Sequence, residues 1–217
     1  MPGRHFESYL FDLDGTLVDS IDLIFRAYRY TAERHLSFSP ADSVWREGLG
    51  TPLRQQLAMV TTDLDLIEAM VVTYREYHQE HHDASVKAFP QIAEVIEELS
   101  TRGARLGIVT SKLRSGAARS LRAAGLAEFF QAVVTAEDVG RSKPHPEPVW
   151  TALERLGGNA REAVFIGDSP HDIAAGRKAG VATAGVLWGP FTRADLEGAS
   201  ADFLLESPRE ILDLLPA

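Results

Sequence analysis

The chain has 217 residues, enough for one good core or for a core that carries a smaller second domain. A net charge of −9 argues against a nucleic-acid partner, which would call for a broad basic surface. The absence of cysteine excludes a disulfide framework and a thiolate metal site.

The N-terminus, "MPGRHFESYLFDLDG", turns acidic before any apolar stretch reaches signal-peptide length. No window approaches the ~20 apolar residues of a membrane span. The expectation is a cytoplasmic protein with no membrane partner, monomeric or homodimeric.

The first apolar run is "YLFDL" (9–13), and it ends in two aspartates, Asp12 and Asp14. A buried carboxylate is costly unless a cation sits beside it. Either the pair faces water in a turn, with "DG" as its signal, or the end of this strand is where chemistry happens.

From about Ser20 to Ser85 the pattern changes. "IDLIFRAYRYTAERHL", "PLRQQLAMV" and "LDLIEAMVVTYREYHQEHH" carry helical spacing with no convincing strand between them. This stretch reads as a helical module, residues 19–85, inserted into a core formed by residues 1–18 and 86–217. Its hinges fall near "LVDS" and "ASVKAFP".

Further along, "PQIAEVIEELSTRG" predicts a helix with Pro90 in its first turn and Gly103 at its stop. "RLGIVT" (105–110) predicts a strand, and "SGAARSLRAAGL" a helix closed by Gly125. "AVVT" (132–135) and "AVFIG" (163–167) are two more strands. "SPHDIAAGRKAGV" is a helix running from Ser169 as N-cap to Gly180. "ATAGVLW" (182–188) and "ADFLL" (201–205) complete the strands. Continuous apolar runs suit strands covered on both faces. Their alternation with helices predicts an α/β fold, a Rossmann-like three-layer sandwich with a mostly parallel sheet, plus a small α-helical cap.

Polar residues collect just beyond the predicted strand ends. Asp12 and Asp14 follow the first, and Thr110 and Ser111 the second. Lys143 lies in "TAEDVGRSKPHPEP" after the third, and Asp168 and Asp172 follow the fourth. In an open α/β sheet that edge is where ligands bind. Each residue type has a task in phosphoryl transfer. A carboxylate can be the nucleophile, and a second can protonate the leaving oxygen and later activate water. A hydroxyl and an ammonium can hold phosphate oxygens. Mg²⁺ prefers carboxylate oxygens, for which Asp12 and Asp168 are the natural pair.

"DLDGTLVDS", "VTSK", "KPHPEP" and "GDSPHD" resemble, in order, the four motifs of the haloacid dehalogenase superfamily, and the likeness spans about residues 8 to 190. The resemblance implies Asp12 as nucleophile and metal ligand. It implies Asp14 as general acid and base, with its backbone carbonyl reaching the metal. It further implies Thr110, Ser111 and Lys143 as the phosphate-binding set, Asp168 as a metal ligand and Asp172 as a more variable acidic position acting through water. The inserted helices resemble the family's helical cap, which closes over the site.

Within the family, the pattern is most similar to phosphoglycolate phosphatases and their relatives that hydrolyse pyrophosphate or nucleotides. The implied activity is Mg²⁺-dependent hydrolysis of a small phosphorylated metabolite. Two departures are Ser111, where many such relatives have asparagine, and Leu113, where they often have proline. A phosphosugar mutase is disfavoured because Ile24 stands where such mutases carry a histidine. A non-catalytic phosphate-binding regulator is the reading from another class, and the intact nucleophile, acid, lysine and metal ligand weigh against it.

Asp172 also reads as an ordinary helix start, the third helical residue after Ser169. "GLGTPLRQQL" (48–57) is similar to a cap loop that faces the active site, which makes Arg46 and Arg54 candidates for substrate contact. His78, His81 and His82 in "YHQEHHD" have helical spacing but no partner motif, and are read as solvated helix-end histidines rather than a zinc site.

Overall fold

The computed structural model describes residues 6–215. The first apolar run forms β1 (Ser8–Phe11), buried along its whole length. Tyr9 and Phe11 point into one core cluster and Leu10 into another, as strand alternation requires. Both faces of β1 are covered, which explains why its apolar residues run on without a break.

The chain then passes through β2 (Val18–Asp19) into four helices: α1 (Ile21–His35), α2 (Asp42–Gly48), α3 (Leu53–Leu57) and α4 (Leu64–Ser85). It returns through β3 (Lys87–Ala88), which pairs antiparallel with β2. The entry and exit of the helical insert are thus tied to each other. Two-residue strands are too short to leave a periodic signal, so this ribbon has no counterpart in the sequence reading.

The insert is built around aromatic residues. Tyr28 of α1 stacks on Trp45 of α2, with ring centroids 4.6 Å apart, and Tyr74 of α4 leans on the same ring. Such pairs add roughly 0.5–1.5 kcal/mol to the burial of their area. Asp63 caps α4, accepting from the backbone of Asp65 and Leu66 at 3.0 and 3.2 Å.

After α5 (Ile92–Thr101) come β4 (Arg105–Val109), α6 (Arg114–Ala123), β5 (Ala132–Val134) and α7 (Glu147–Leu156). The chain then continues through β6 (Ala163–Gly167), α8 (Pro170–Ala179), β7 (Ala182–Val186), α9 (Arg193–Gly198) and β8 (Phe203–Leu205). The six longer strands form one sheet in the order β5-β4-β1-β6-β7-β8, with every neighbouring pair parallel. Apolar residues of α5 and α6 join the cluster beneath Tyr9 and Phe11, and those of α7 and α8 join the cluster around Leu10. This is the three-layer arrangement expected from the sequence.

Several boundaries differ from the sequence reading. Pro90 lies before α5, because Gln91 adopts φ 70° and the helix starts at Ile92. β1 stops at Phe11, so Asp12 already lies beyond the strand. β7 stops at Val186, and Trp188 leaves the sheet to donate from Nε1 to the Thr16 carbonyl at 2.9 Å.

Candidate active site

From β1 the chain runs outward to β4 and β5, then crosses back over β1 to β6. The direction of winding therefore reverses at β1, and Phe11 is level with Ile108 on one side and Ile166 on the other. The residues that follow these strands, Asp12, Thr110 and Asp168, emerge together at the carboxyl edge. This is the usual place for a ligand in an open α/β sheet.

Asp12 is buried, and Lys143 Nζ lies 2.9 Å from its Oδ1. The same ammonium lies 2.6 Å from Asp172 Oδ1. Burial opposes the charge on Lys143, but the Asp12 and Asp172 carboxylates outweigh it and hold the lysine above its ordinary range. Burial also pushes Asp12 up, to about 7, with Lys143 pulling it down and Asp172 adding to the rise. Asp168 is raised well above the usual carboxylate range by burial and then by Asp172 and Asp12.

Asp12, Asp168 and Asp172 each offer an oxygen, all within 4.8 Å of one another. Three buried carboxylates against one ammonium leave an excess of negative charge that a divalent cation would balance. Asp172 is the least free of the three. Its Oδ2 accepts from the Ser169 backbone at 3.0 Å and from Ser169 Oγ at 2.6 Å, forming a capping box. The helix cap and the contact with Lys143 therefore coincide in one side chain.

Asp14 turns away from this cluster. It accepts from Ser20 Oγ at 2.5 Å and pairs with Lys112 Nζ. Burial pushes Asp14 up, but Lys112 and Ser20 together hold it below the usual range. The turn between Asp12 and Asp14 and the rest of the chain needs Gly15, whose φ is 80° and whose missing Cβ would lie 2.8 Å from Asp168 Oδ2.

A cavity of about 550 Å³ opens from this edge toward the helical insert. Ile24 faces it, an apolar side chain that cannot transfer a proton. Thr110 and Ser111 line it too, although the Ser111 hydroxyl already donates to the Gly50 carbonyl at 2.7 Å. Arg54 lines the cavity while paired with Glu68 at 2.5 and 2.6 Å. Arg46 does not. It is exposed on α2, whose inward face is taken by Trp45.

The histidines also correct the sequence reading. His82 is 1% exposed, its Nε2 2.9 Å from Ser120 Oγ and its Nδ1 2.8 Å from Asp83. His78 lines the cavity, where burial, and then Lys112, push it down to about 3, so its ring is neutral. The face of α4 that carries Tyr74, His78 and His82 points inward, not to solvent.

Sequence reasoning missed three contributors. The buried Thr16 hydroxyl donates to Asp168 Oδ1 at 2.8 Å. Gly189 packs so close that an added Cβ would collide with the Asp168 side chain. Lys112 sits in the quoted "VTSK", but no local signal indicates that its ammonium reaches Asp14.

A family profile described as haloacid dehalogenase-like hydrolase matches residues 9–186. The chain belongs to that family, and the Asp12–Lys143–Asp168 cluster stands at the end of the sheet where the motifs predicted it. Its similarity runs to phosphatases. It is 36% identical over 211 residues to the pyrophosphatase PpaX of Anoxybacillus flavithermus, a match covering 97% of each chain. Among solved structures, a haloacid dehalogenase-like family hydrolase of Streptococcus pneumoniae superposes with a TM-score of 0.83 at 30% identity, covering 96% of this chain and 97% of that one. A Lactobacillus plantarum protein assigned as a phosphoglycolate phosphatase gives 0.87 at 25% identity, covering 97% and 100%. No helix among the described residues is long and apolar enough to cross a membrane.

Proposed function

We propose that this hydrolase is a Mg²⁺-dependent phosphatase that cleaves a small phosphorylated metabolite through a phosphorylated Asp12. The observation that carries this reading is the buried Asp12 carboxylate held 2.9 Å from Lys143, with Asp168 close enough to share a cation. The helical insert, residues 19–85, acts as the cap over a core of residues 1–18 and 86–217.

Asp12 and Asp168, with the Asp14 backbone carbonyl, would hold the Mg²⁺. When bound, the ion would neutralise the carboxylates and the phosphate charge. An Asp12 oxygen attacks phosphorus as the bond from phosphorus to the leaving oxygen breaks. Lys143, Thr110 and Ser111 hold the phosphoryl oxygens through that displacement. Asp14 is ionised while it pairs with Lys112, so it must take up a proton as that pair opens before it protonates the leaving oxygen. It then takes a proton from the water that attacks the phosphorylated Asp12. Inorganic phosphate departs and the free carboxylate returns. Asp172 anchors Lys143 and does not touch the phosphoryl group.

The substrate of first choice is of the phosphoglycolate type. Inorganic pyrophosphate is a second reading, favoured by the whole-chain similarity to PpaX. Ile24 in the cavity wall weighs against a mutase, which needs a group there for proton transfer.

The test is phosphate release from a panel of phosphomonoesters, nucleotides and pyrophosphate, with Mg²⁺ and with chelator. Release from at least one member is expected, lost with chelator and lost in Asp12→Asn. Substantial turnover by that variant would overturn the assignment of Asp12.

A further inference from the structure

We infer that His171 is a positioning residue of the reaction: it latches the segment of the helical insert from Glu47 to Gly50 onto the loops at the end of the sheet. The inference rests on the cap reading of the insert and goes beyond it, because it assigns which seam of the insert opens and which side chain holds that seam shut.

Access makes the position of the insert matter. Asp12, Thr110, Lys143 and Asp168 are each 5% exposed or less. A substrate reaches them through the cavity, whose walls come from the sheet edge and the insert together. The chain links insert and core only at β2 and β3, which pair with each other. Beyond that tether the insert meets the core along two seams.

The seam beside the tether is clamped. His82, in the last turn of α4, lies 2.9 Å from Ser120 Oγ of α6, and both residues are closed off from solvent. Arg119 of α6 donates from Nε to Asp83 at 2.8 Å and from Nη1 to the Gln79 carbonyl at 2.9 Å. Separating a buried pair leaves polar groups unsatisfied, so this seam is costly to open.

The second seam is held more lightly. His171 Nε2 donates to the Glu47 carbonyl at 3.0 Å, and Ser111 Oγ donates to the Gly50 carbonyl at 2.7 Å. His171 and Ser111 are half-buried, so water can replace either bond when the segment lifts. Arg46 adds its charge. After hydrogen bonds from the Thr192 backbone and side chain, it helps hold Asp195 of α9 below the usual carboxylate range. Ile173 and Phe191 of the core share one apolar cluster with Trp45 and Leu49 of the insert. Such burial favours closing but has no direction. The two hydrogen bonds do, and they fix where the segment seats.

The nucleophile's surroundings register that seating. Gly50, at φ 89°, brings its backbone so close that an added Cβ would lie 2.7 Å from Ser169 Oγ. Ser169 holds Asp172, and Asp172 holds Lys143. The latched segment therefore closes the cavity and rests on the helix cap that positions the lysine facing Asp12.

The test reads opening through the reactivity of a single introduced thiol, since the chain has no cysteine of its own. Leu49→Cys places the thiol at a cavity-lining position that is 4% exposed, and Ala32→Cys places it inside the insert at 0%. Labelling slow enough for the seam to reclose between encounters gives a rate proportional to the open fraction. In the Leu49→Cys background, His171→Leu is expected to raise that rate about three- to tenfold, the contribution of one net hydrogen bond. The rate in the Ala32→Cys background should not change. His171→Gln, which keeps a donor near the place of Nε2, should label like the protein with His171. An unchanged Leu49→Cys rate in His171→Leu, an equal rise in both backgrounds, or a rise in His171→Gln as large as in His171→Leu overturns the latch. If the rates behave as expected but no phosphate ester or anhydride is hydrolysed, the latch stands and the phosphatase reading falls.

Discussion

The ammonium of Lys143 lies 2.6 Å from the Asp172 carboxylate, and both side chains are closed off from solvent. Asp172 in turn is gripped by Ser169 at the start of α8, so the lysine facing Asp12 is positioned by a helix cap. One carboxylate thereby joins the stability of α8 to the geometry of the site.

Removing that charge should be costly, because it leaves Lys143 buried with one partner fewer. Asp172→Asn is expected to lose about 3 kcal/mol, within the range for breaking one side of a buried ion pair. Denaturant unfolding measures it. A loss below about 1 kcal/mol, the scale of a surface pair, would mean that Asp12 alone suffices to hold the lysine.

Metal affinity should depend on pH through Asp12. Burial raises this carboxyl to about 7 in the metal-free protein, and a cation binds its ionised form. Below that pH, binding must displace a proton from Asp12, and the raised Asp168 adds a second proton to displace, so Mg²⁺ affinity should fall as the medium is acidified through neutrality. Calorimetry in buffers of different ionisation enthalpy would reveal the released proton. An affinity independent of pH from 5 to 8 would contradict the assignment of Asp12 as a ligand.

Thr16 orients Asp168 through a 2.8 Å hydrogen bond. Thr16→Val keeps the shape and deletes the donor. Loss of a hydrogen bond behind a metal ligand commonly weakens metal binding by about 10–100-fold, and that range is expected here. Mg²⁺ titration of activity checks it, and kcat at saturating metal should fall much less than affinity.

Gly189 has no room for a side chain, since a Cβ there would strike Asp168. Gly189→Ala should displace that carboxylate, with a stability loss of about 1–3 kcal/mol from overpacking and weaker Mg²⁺ binding. Gly103→Ala provides the contrast: nothing lies within 4 Å of its added methyl, so any loss there comes from its φ of 82° and leaves metal affinity unchanged.

The positions of Asp12, Thr110, Lys143 and Asp168 were legible because each follows a short apolar run, and a parallel sheet gathers the ends of such runs at one edge. The capping role of Asp172 was legible from its spacing to Ser169. The histidines were misread because helical spacing says which residues share a face but not what that face meets. His82 meets Ser120, a residue of α6, which begins only after β3, α5 and β4. Arg46 and Arg54 are eight residues apart, yet Arg54 lines the cavity and Arg46 does not, since α2 and α3 are separate helices that present different faces.

The sequence by itself determined the six strands of the parallel sheet, the helical insert and the order in which the reactive groups leave the sheet. These follow from local periodicity and from residue types at strand ends, which neighbouring residues alone specify. Only the tertiary structure decided that Lys112 lies on Asp14, that Thr16 steadies Asp168, and that His82 and Arg119 join α4 to α6. Each of these contacts joins residues far apart in the chain, and the packing of the insert against the sheet decides which side chains come within reach.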